Sequence, residues 1–499
     1  MKLVESLLLG SAAGLVGIAG AQGADLPARK SAPVEYVRIC DAYGAGFFYI
    51  PGTDTCLRVG GLALAEFRAF NPSYVVNVGA ITGNGTAKGA VLGAGTYSNQ
   101  RQRDGYGYAA LGRLELDART RTAYGTLRSF IRVDSYFGAN SGAVTGSLQG
   151  AGAGVFNTTA NTSVPRESTI LNKAFIQFAG LTAGRAQSMF DFYADAYNYE
   201  LLRGSNATVA LLAYTATFGG GFSASLSLED QASRRAPIGS TVTGFQATPA
   251  GTRIPDIVGN IRVDQPWGSV QLAAAAHQNN TTLFASPALA TPPAAYAFPS
   301  NSQNNYGFAI QGGAQFNLDQ WAPGDKLWLQ ATYEKGAVGY IQGLNLGFSG
   351  GPVNGNRYMG VLSYPYIAGW NRGFDLDCVW TGSGTCEQQW GFAVVAALKH
   401  YWLPTLSSSV YGSYMEIHYT ANAIAGFGGA IGVPNLKETR IGSNLVWTPV
   451  KGFDIGAEFM YVRGANSFPV GQFVIPAGLP AFQSTQNVYE TRLRVLRAF

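Results

Sequence analysis

The chain has 499 residues, of which 13% are charged and 12% aromatic, with 65 glycines and a formal net charge of +5. That length usually means several soluble domains, yet no composition break or charged linker marks a boundary, so one large repetitive structure is expected. A bundle of membrane helices is excluded, because beyond residue 23 no apolar run exceeds stretches such as Val394–Leu398, far short of the roughly 18–20 residues a spanning helix needs.

Residues 1–23 read as a secretory leader: Lys2, an apolar stretch from Leu7 to Ala19, then the small residues Ala21 and Gly23 before Ala24. The remainder, 24–499, is expected to be one domain. Removing Lys2 and Glu5 with the leader leaves the net charge at +5. The four cysteines fall into two close pairs, Cys40/Cys56 and Cys378/Cys386. In an exported chain these read as two local disulfides. Metal binding would need nearby ligands, and the histidines His277, His400 and His418 lie far off in sequence, so no metal and no cofactor is expected.

From residue 57 onward, segments of about ten residues alternate between apolar and polar. Candidate strands fall at 57–68, 106–119, 125–136, 170–180, 181–187, 206–218, 221–230, 256–265, 268–278, 305–318, 326–335, 389–401, 408–419, 437–448, 453–463 and 486–499. In the tenth, Tyr306, Phe308, Ile310, Ala314 and Phe316 share one face and Asn305, Gln311, Gln315 and Asn317 the other. Tight turns such as Thr122–Gly125, Gly219–Gly221, Gln265–Gly268, Asp319–Asp325 and Pro449–Gly452 alternate with long loops at 69–105, 137–169, 188–205, 231–255, 279–304, 336–388, 420–436 and 464–485.

A soluble sandwich has no reason to alternate loop lengths so regularly. A barrel that turns its apolar faces to outer-membrane lipid does, because its turns are short on one side of the membrane and its loops long on the other. The expected fold is therefore all-β: a sixteen-stranded antiparallel transmembrane barrel. Its last strand, ending on Phe499, pairs with its first and removes both exposed edges. Arg497 interrupts the apolar face of that strand and is expected to snorkel at the rim.

Basic residues gather on the inward faces of the first three strands and the last, with Arg113, Arg128, Arg132, Arg492 and Arg494 near mid-height. The third long loop, about 188–205, is dense in aromatics and acids where its neighbours are Gly and Ala. Folding into the lumen would bury its rings and set Asp191, Asp195 and Glu200 across a gap from the arginine wall. The alternative is a loop packed on the outer rim.

Other chemistries find little support. A hydrolase would need a nucleophile within reach of a base, and of the three histidines only His418 has an acid, Glu416, on its own face, so no catalytic residue is expected. Gly83-Asn84-Gly85 with Lys88-Gly89 lacks the Lys-Ser/Thr pair and the context of a phosphate loop. A sugar-specific channel would need an aromatic track inside, whereas Trp328 is an inward exception among rings that face lipid or lie in loops. A secreted β-rich adhesin is the remaining alternative. No nucleic-acid partner is expected.

The stretch from Cys40 to Gly61, with Phe47-Phe48-Tyr49-Ile50-Pro51-Gly52 between its cysteines, resembles the N-terminal signature of the alphaproteobacterial porin family. The segment from Phe175 to Tyr193, including Gly180-Leu181-Thr182-Ala183-Gly184-Arg185, is similar to that family's entry into its constriction loop. The resemblance implies a homotrimeric, sixteen-stranded channel in a Gram-negative outer membrane for passive diffusion of ions and small hydrophilic solutes. It maps the acids of the constriction to Asp191, Asp195 and Glu200 and its bases to arginines of the opposite wall.

Overall fold

The computed structural model describes residues 38–70, 106–138, 166–236, 238–242, 245–285, 301–342, 376–426, 432–467 and 485–499, with five short strand pieces at 77–78, 81–82, 90–92, 96–97 and 473–474. The expected leader at 1–23 and most of the loops at 69–105, 137–169 and 464–485 lie outside the described residues.

Sixteen strands form the barrel: β1 (Thr55–Phe70), β2 (Tyr106–Thr122), β3 (Gly125–Gly138), β4 (Arg166–Phe178), β5 (Leu181–Gln187), β6 (Thr208–Gly219), β7 (Phe222–Glu229), β8 (Asp256–Gln265), β9 (Gly268–Ala285), β10 (Asn301–Asn317), β11 (Lys326–Lys335), β12 (Trp390–Leu403), β13 (Leu406–His418), β14 (Asn435–Val450), β15 (Phe453–Ser467) and β16 (Thr485–Ala498). Each pairs antiparallel with the next, and β1 pairs with β16 from Leu62↔Ala498 to Phe70↔Glu490, so the sheet closes on itself. Two short pieces, Phe48–Tyr49 and Phe245–Pro249, extend the same sheet beside β1 and β9.

The burial pattern is inverted relative to a soluble protein. Leu272 is 62% exposed while its chain neighbour Gln271 is 3% exposed, and Ile310 and Gln311 repeat the contrast. A strand sends alternate side chains to opposite faces, so the apolar set stands on the outside and the polar set inside. Exposed rings mark both ends of the apolar band: Tyr124, Phe218, Trp267, Trp321 and Trp402 near the short turns, Tyr108, Tyr306 and Trp390 near the long loops. Rings of this amphipathic kind sit at the level of lipid headgroups.

The seam is drawn tight at one glycine. Phe499 exchanges backbone hydrogen bonds with Gly61 at 3.1 and 3.2 Å, and its ring covers that residue. A Cβ on Gly61 would stand 2.2 Å from the Arg113 carbonyl oxygen and 2.9 Å from the Phe499 ring, so only glycine fits. Beside it, the Arg497 guanidinium reaches the Lys451 carbonyl oxygen at 2.7 Å, in the turn at the rim.

Both cysteine pairs are disulfides. Cys40–Cys56 ties the segment before the barrel to the start of β1, where Phe47 is buried with the two cysteines against Tyr43 and Tyr49. Cys378–Cys386 closes a small hairpin whose first strand pairs in parallel with Ile238–Ser240 from another long loop.

The interval 279–304, expected to be loop, is strand at both ends, since β9 runs to Ala285 and β10 begins at Asn301. The intervals 231–255 and 336–388 likewise carry strand pieces, at Ile238–Ser240, Phe245–Pro249, Cys378–Trp380 and Cys386–Gln388. The stretch Asn279-Asn280-Thr281-Thr282 shows why: strand that projects beyond the lipid needs no apolar face, so no alternation announces it.

Candidate functional site

The third long loop lies inside the barrel. It leaves β5, at seven residues the shortest of the sixteen, so the chain quits the wall earlier there than elsewhere. Glu229 on β7 catches its start, accepting from Ser188 Oγ at 2.7 Å and the Met189 amide at 2.9 Å. Phe190 then enters a buried pocket of Val258, Ala273, Ala275, Ala309, Ala337 and Tyr340. Small inward side chains on β8–β10 leave the room that this ring fills.

Phe192 and Tyr193 pack on Trp328, with ring centroids 5.0 and 5.7 Å away, and the Tyr193 amide donates to Gln330 Oε1 at 3.0 Å. Gly313 makes the seat for Phe192, since a Cβ there would stand 2.3 Å from the ring. The chain turns at Ala194 and Asp195, both at positive φ (45° and 56°), an uncommon conformation for residues with a side chain. Asp195 holds that turn by accepting from the Leu202 amide (3.0 Å), Asn198 Nδ2 (2.6 Å) and Asn206 Nδ2 (2.7 Å). Burial raises its carboxyl above the usual carboxylate range against the pull of those donors.

On the far side of the lumen the Glu458 carboxylate of β15 accepts from the Tyr199 and Glu200 amides at 2.6 and 2.9 Å. The Glu200 carboxylate is clasped between Arg440 of β14 and Arg492 of β16. Burial pushes the Tyr199 phenol up to about 12, and Arg494 stacks on its ring at 3.7 Å. Arg203 forms a two-pronged bond to Glu438 (2.8 and 2.9 Å), a geometry that fixes orientation as well as distance. The loop returns to β6 where Asp191 accepts from the Ala207 amide at 2.6 Å and meets Arg234 of the next long loop at 3.0 Å.

The three acids therefore sit in the lumen and serve the loop's own attachments, with Asp191 and Glu200 buried and Asp195 half-buried. Glu200 meets Arg492, while Arg494 pairs with Glu66 at 2.6 Å and touches the loop through Tyr199. Arg113, Arg128 and Arg132 are not brought to the loop acids. Arg113 and Arg132 bind Asp134 (2.7 and 2.8 Å) and Arg128 binds Asp117 (2.9 Å), all on their own wall.

Arg203, Arg234, Glu438 and Glu458 hold the loop and were not singled out by sequence reasoning. Nothing in the chain marks them, because each finds its partner only when the barrel closes. Trp328, the inward ring, is consumed under the loop by Phe192, Tyr193 and Tyr197. Glu416 and His418 point outward at the long-loop end, where Lys437 joins Glu416 at 2.9 Å. Among the described residues no group of three or more His, Cys, Asp or Glu stands where it could hold a metal ion.

A family model described as "Porin subfamily" matches residues 25–489. Porin Omp2b of Brucella suis biovar 1 (strain 1330) is 33% identical over 276 residues, covering 54% of this chain and 64% of that protein. Porin Omp2b of Brucella abortus (strain 2308) is 32% identical over 275 residues with the same coverage. The chain thus spans slightly less than two thirds of these relatives' own length. The outer membrane channel DcaP of Acinetobacter baumannii shares the fold, with a TM-score of 0.53 at 15% identity over 90% of this chain and 99% of that one. With a closed sixteen-stranded barrel, an inward third loop and a family match across nearly its whole length, the chain belongs to the porin subfamily.

Proposed function

We propose that this chain forms a water-filled outer-membrane channel for passive diffusion of ions and small hydrophilic solutes. The observation that carries the proposal is the unequal filling of the lumen. The third loop buries the inward polar side chains of β7–β14, among them Gln271, Gln311, Gln330, Thr332 and Glu438, whereas Arg113, Glu115, Arg128 and Arg132 on β2 and β3 keep 18–30% of their side-chain surface in water. A narrowed passage with one charged, hydrated wall suits solutes that carry their own water.

The proposed partners are outer-membrane lipid around the apolar band, the diffusing solutes, and two further copies of the chain. Trimer formation follows from the family resemblance. Of the loop at 137–169, a candidate for reaching a neighbour, residues 139–165 lie outside the described residues. Residues 1–23 are proposed as a cleaved leader, a reading supported by a family match that begins at residue 25. No catalysis is proposed. Trp328 is half-buried and already packed by Phe192, Tyr193 and Tyr197 of the loop, which disfavours a sugar track.

Purified protein in a planar bilayer should give stepwise conductance that rises with salt. Conductance saturated by one sugar at low concentration would instead select the substrate-specific alternative. A folded, monodisperse chain in buffer without detergent would overturn the barrel channel in favour of a secreted adhesin.

A further inference from the structure

The ion pairs on the open wall are stacked in one direction, with the carboxylate underneath and the guanidinium toward the water. Asp117 is 1% exposed and serves three arginines, Arg119 at 2.8 Å, Arg128 at 2.9 Å and Arg58 at 3.9 Å, whose side chains are 26, 27 and 45% exposed. Asp134 is 0% exposed and serves Arg113 and Arg132, which are 19 and 18% exposed. Lys173 on β4 stands opposite Arg132 in the register and adds a further inward cation.

Among the described residues two buried carboxylates therefore face five guanidinium groups, and the excess charge is the part in contact with solvent. Across the lumen two of the three acids of the third loop are sealed, the Asp191 and Glu200 side chains being each 1% exposed, while the half-buried Asp195 is held by the Leu202 amide, Asn198 and Asn206. Glu115, Asp264 and Asp454 do meet water, and the first two stand beside Arg132 (3.9 Å) and Arg262 (2.9 Å). A diffusing ion is screened from distant charges but not from those within a few ångströms, so the wall's outermost layer dominates the local field.

We propose that the channel prefers small anions, inorganic and carboxylate, over cations of similar size, and that the Asp117-centred arginines and Lys173 set that preference. This rests on the channel function proposed above. The test is the reversal potential of the full chain in a planar bilayer under a KCl gradient. A chloride-to-potassium permeability ratio above one is expected. The ratio should decline toward one when both sides are raised from about 0.1 M to about 1 M salt, because the screening length shortens from roughly 10 to 3 Å.

The double substitution Arg58→Gln with Arg128→Gln leaves Asp117 paired with Arg119 and should lower the ratio at least twofold while channels still open. Lys173→Gln, which breaks none of the Asp117 pairs, should shift the ratio in the same direction. A native ratio at or below one overturns the inference while leaving the channel function standing. So does a native ratio retained in both variants. Absence of any conductance overturns both.

Discussion

Replacing Glu458 by alanine should free the far end of the third loop without opening the barrel. The carboxylate accepts two backbone donors, the Tyr199 amide at 2.6 Å and the Glu200 amide at 2.9 Å, and the Tyr411 hydroxyl as well. A hydrogen bond to a charged group contributes about 1.5–3 kcal/mol, so losing the two amide bonds alone costs roughly 3–6 kcal/mol locally. At about 1.4 kcal/mol per factor of ten, local opening of the segment becomes at least about 100-fold more frequent. The strands themselves are held by their ladders, so the folded band on detergent gels should survive as in the unsubstituted chain. The assay is amide hydrogen exchange at Tyr199 and Glu200, read beside single-channel current. Both amides should lose protection at least about 100-fold, by the same arithmetic, and the open-channel current should become larger and noisier. Unchanged protection together with an unchanged, quiet current would refute the view that this carboxylate is the loop's far anchor.

Three further outcomes follow from the same geometry. Gly313→Ala places a methyl group where the Phe192 ring lies, 2.3 Å from its Cδ1; overpacking of this kind costs about 1–3 kcal/mol, and a shifted conductance step would register the displaced ring. Converting Cys40 and Cys56 to serine removes a crosslink of sequence separation 16 and should lower stability by about 3 kcal/mol, seen as a lower temperature for losing the folded gel band; an unchanged temperature would count against it. Asp195 titrates above its ordinary value of 3.8 in the folded loop because it is buried, so its contribution is fully present below that value and is lost as pH rises through the folded pKa. Asp195→Asn should therefore flatten the rise in loop-amide exchange over that interval, and an identical pH profile in the two proteins would argue against the assignment.

How much of this was legible beforehand depends on range. Alternation is a local signal, so Phe222, Leu226 and Leu228 on the outside and Ser223, Ser225 and Ser227 on the inside of β7 could be read directly. The projecting halves of β9 and β10 could not, because strand beyond the lipid is covered by other loops and buries polar residues such as Gln278, Asn279 and Thr281, which leaves no apolar phase to read. The third loop announced itself by rings and acids that need partners. The individual pairings were not legible: Glu200 meets Arg492, one member of the expected wall 292 residues away, and Asp191 meets Arg234, 43 away, which no local pattern marked. Arg113, Arg128 and Arg132 were visible as a basic wall, yet Asp117 and Asp134 beside them satisfy most of their hydrogen bonds. Adjacent strands supply closer counter-charges than a loop crossing the bore.

The junction of β1 with β16 carries a kinetic consequence. Glu66 and Arg494 are 428 residues apart, whereas the other neighbouring strands of the wall follow one another along the chain. Bringing such distant partners together costs the most chain entropy and is rewarded only after the intervening hairpins exist. The curved sheet must therefore assemble first with two raw borders, and stitching them is the step that commits the polypeptide to its final form. Until then each border is a template for a stranger's strand, which makes that interval the chain's most vulnerable moment for misassembly.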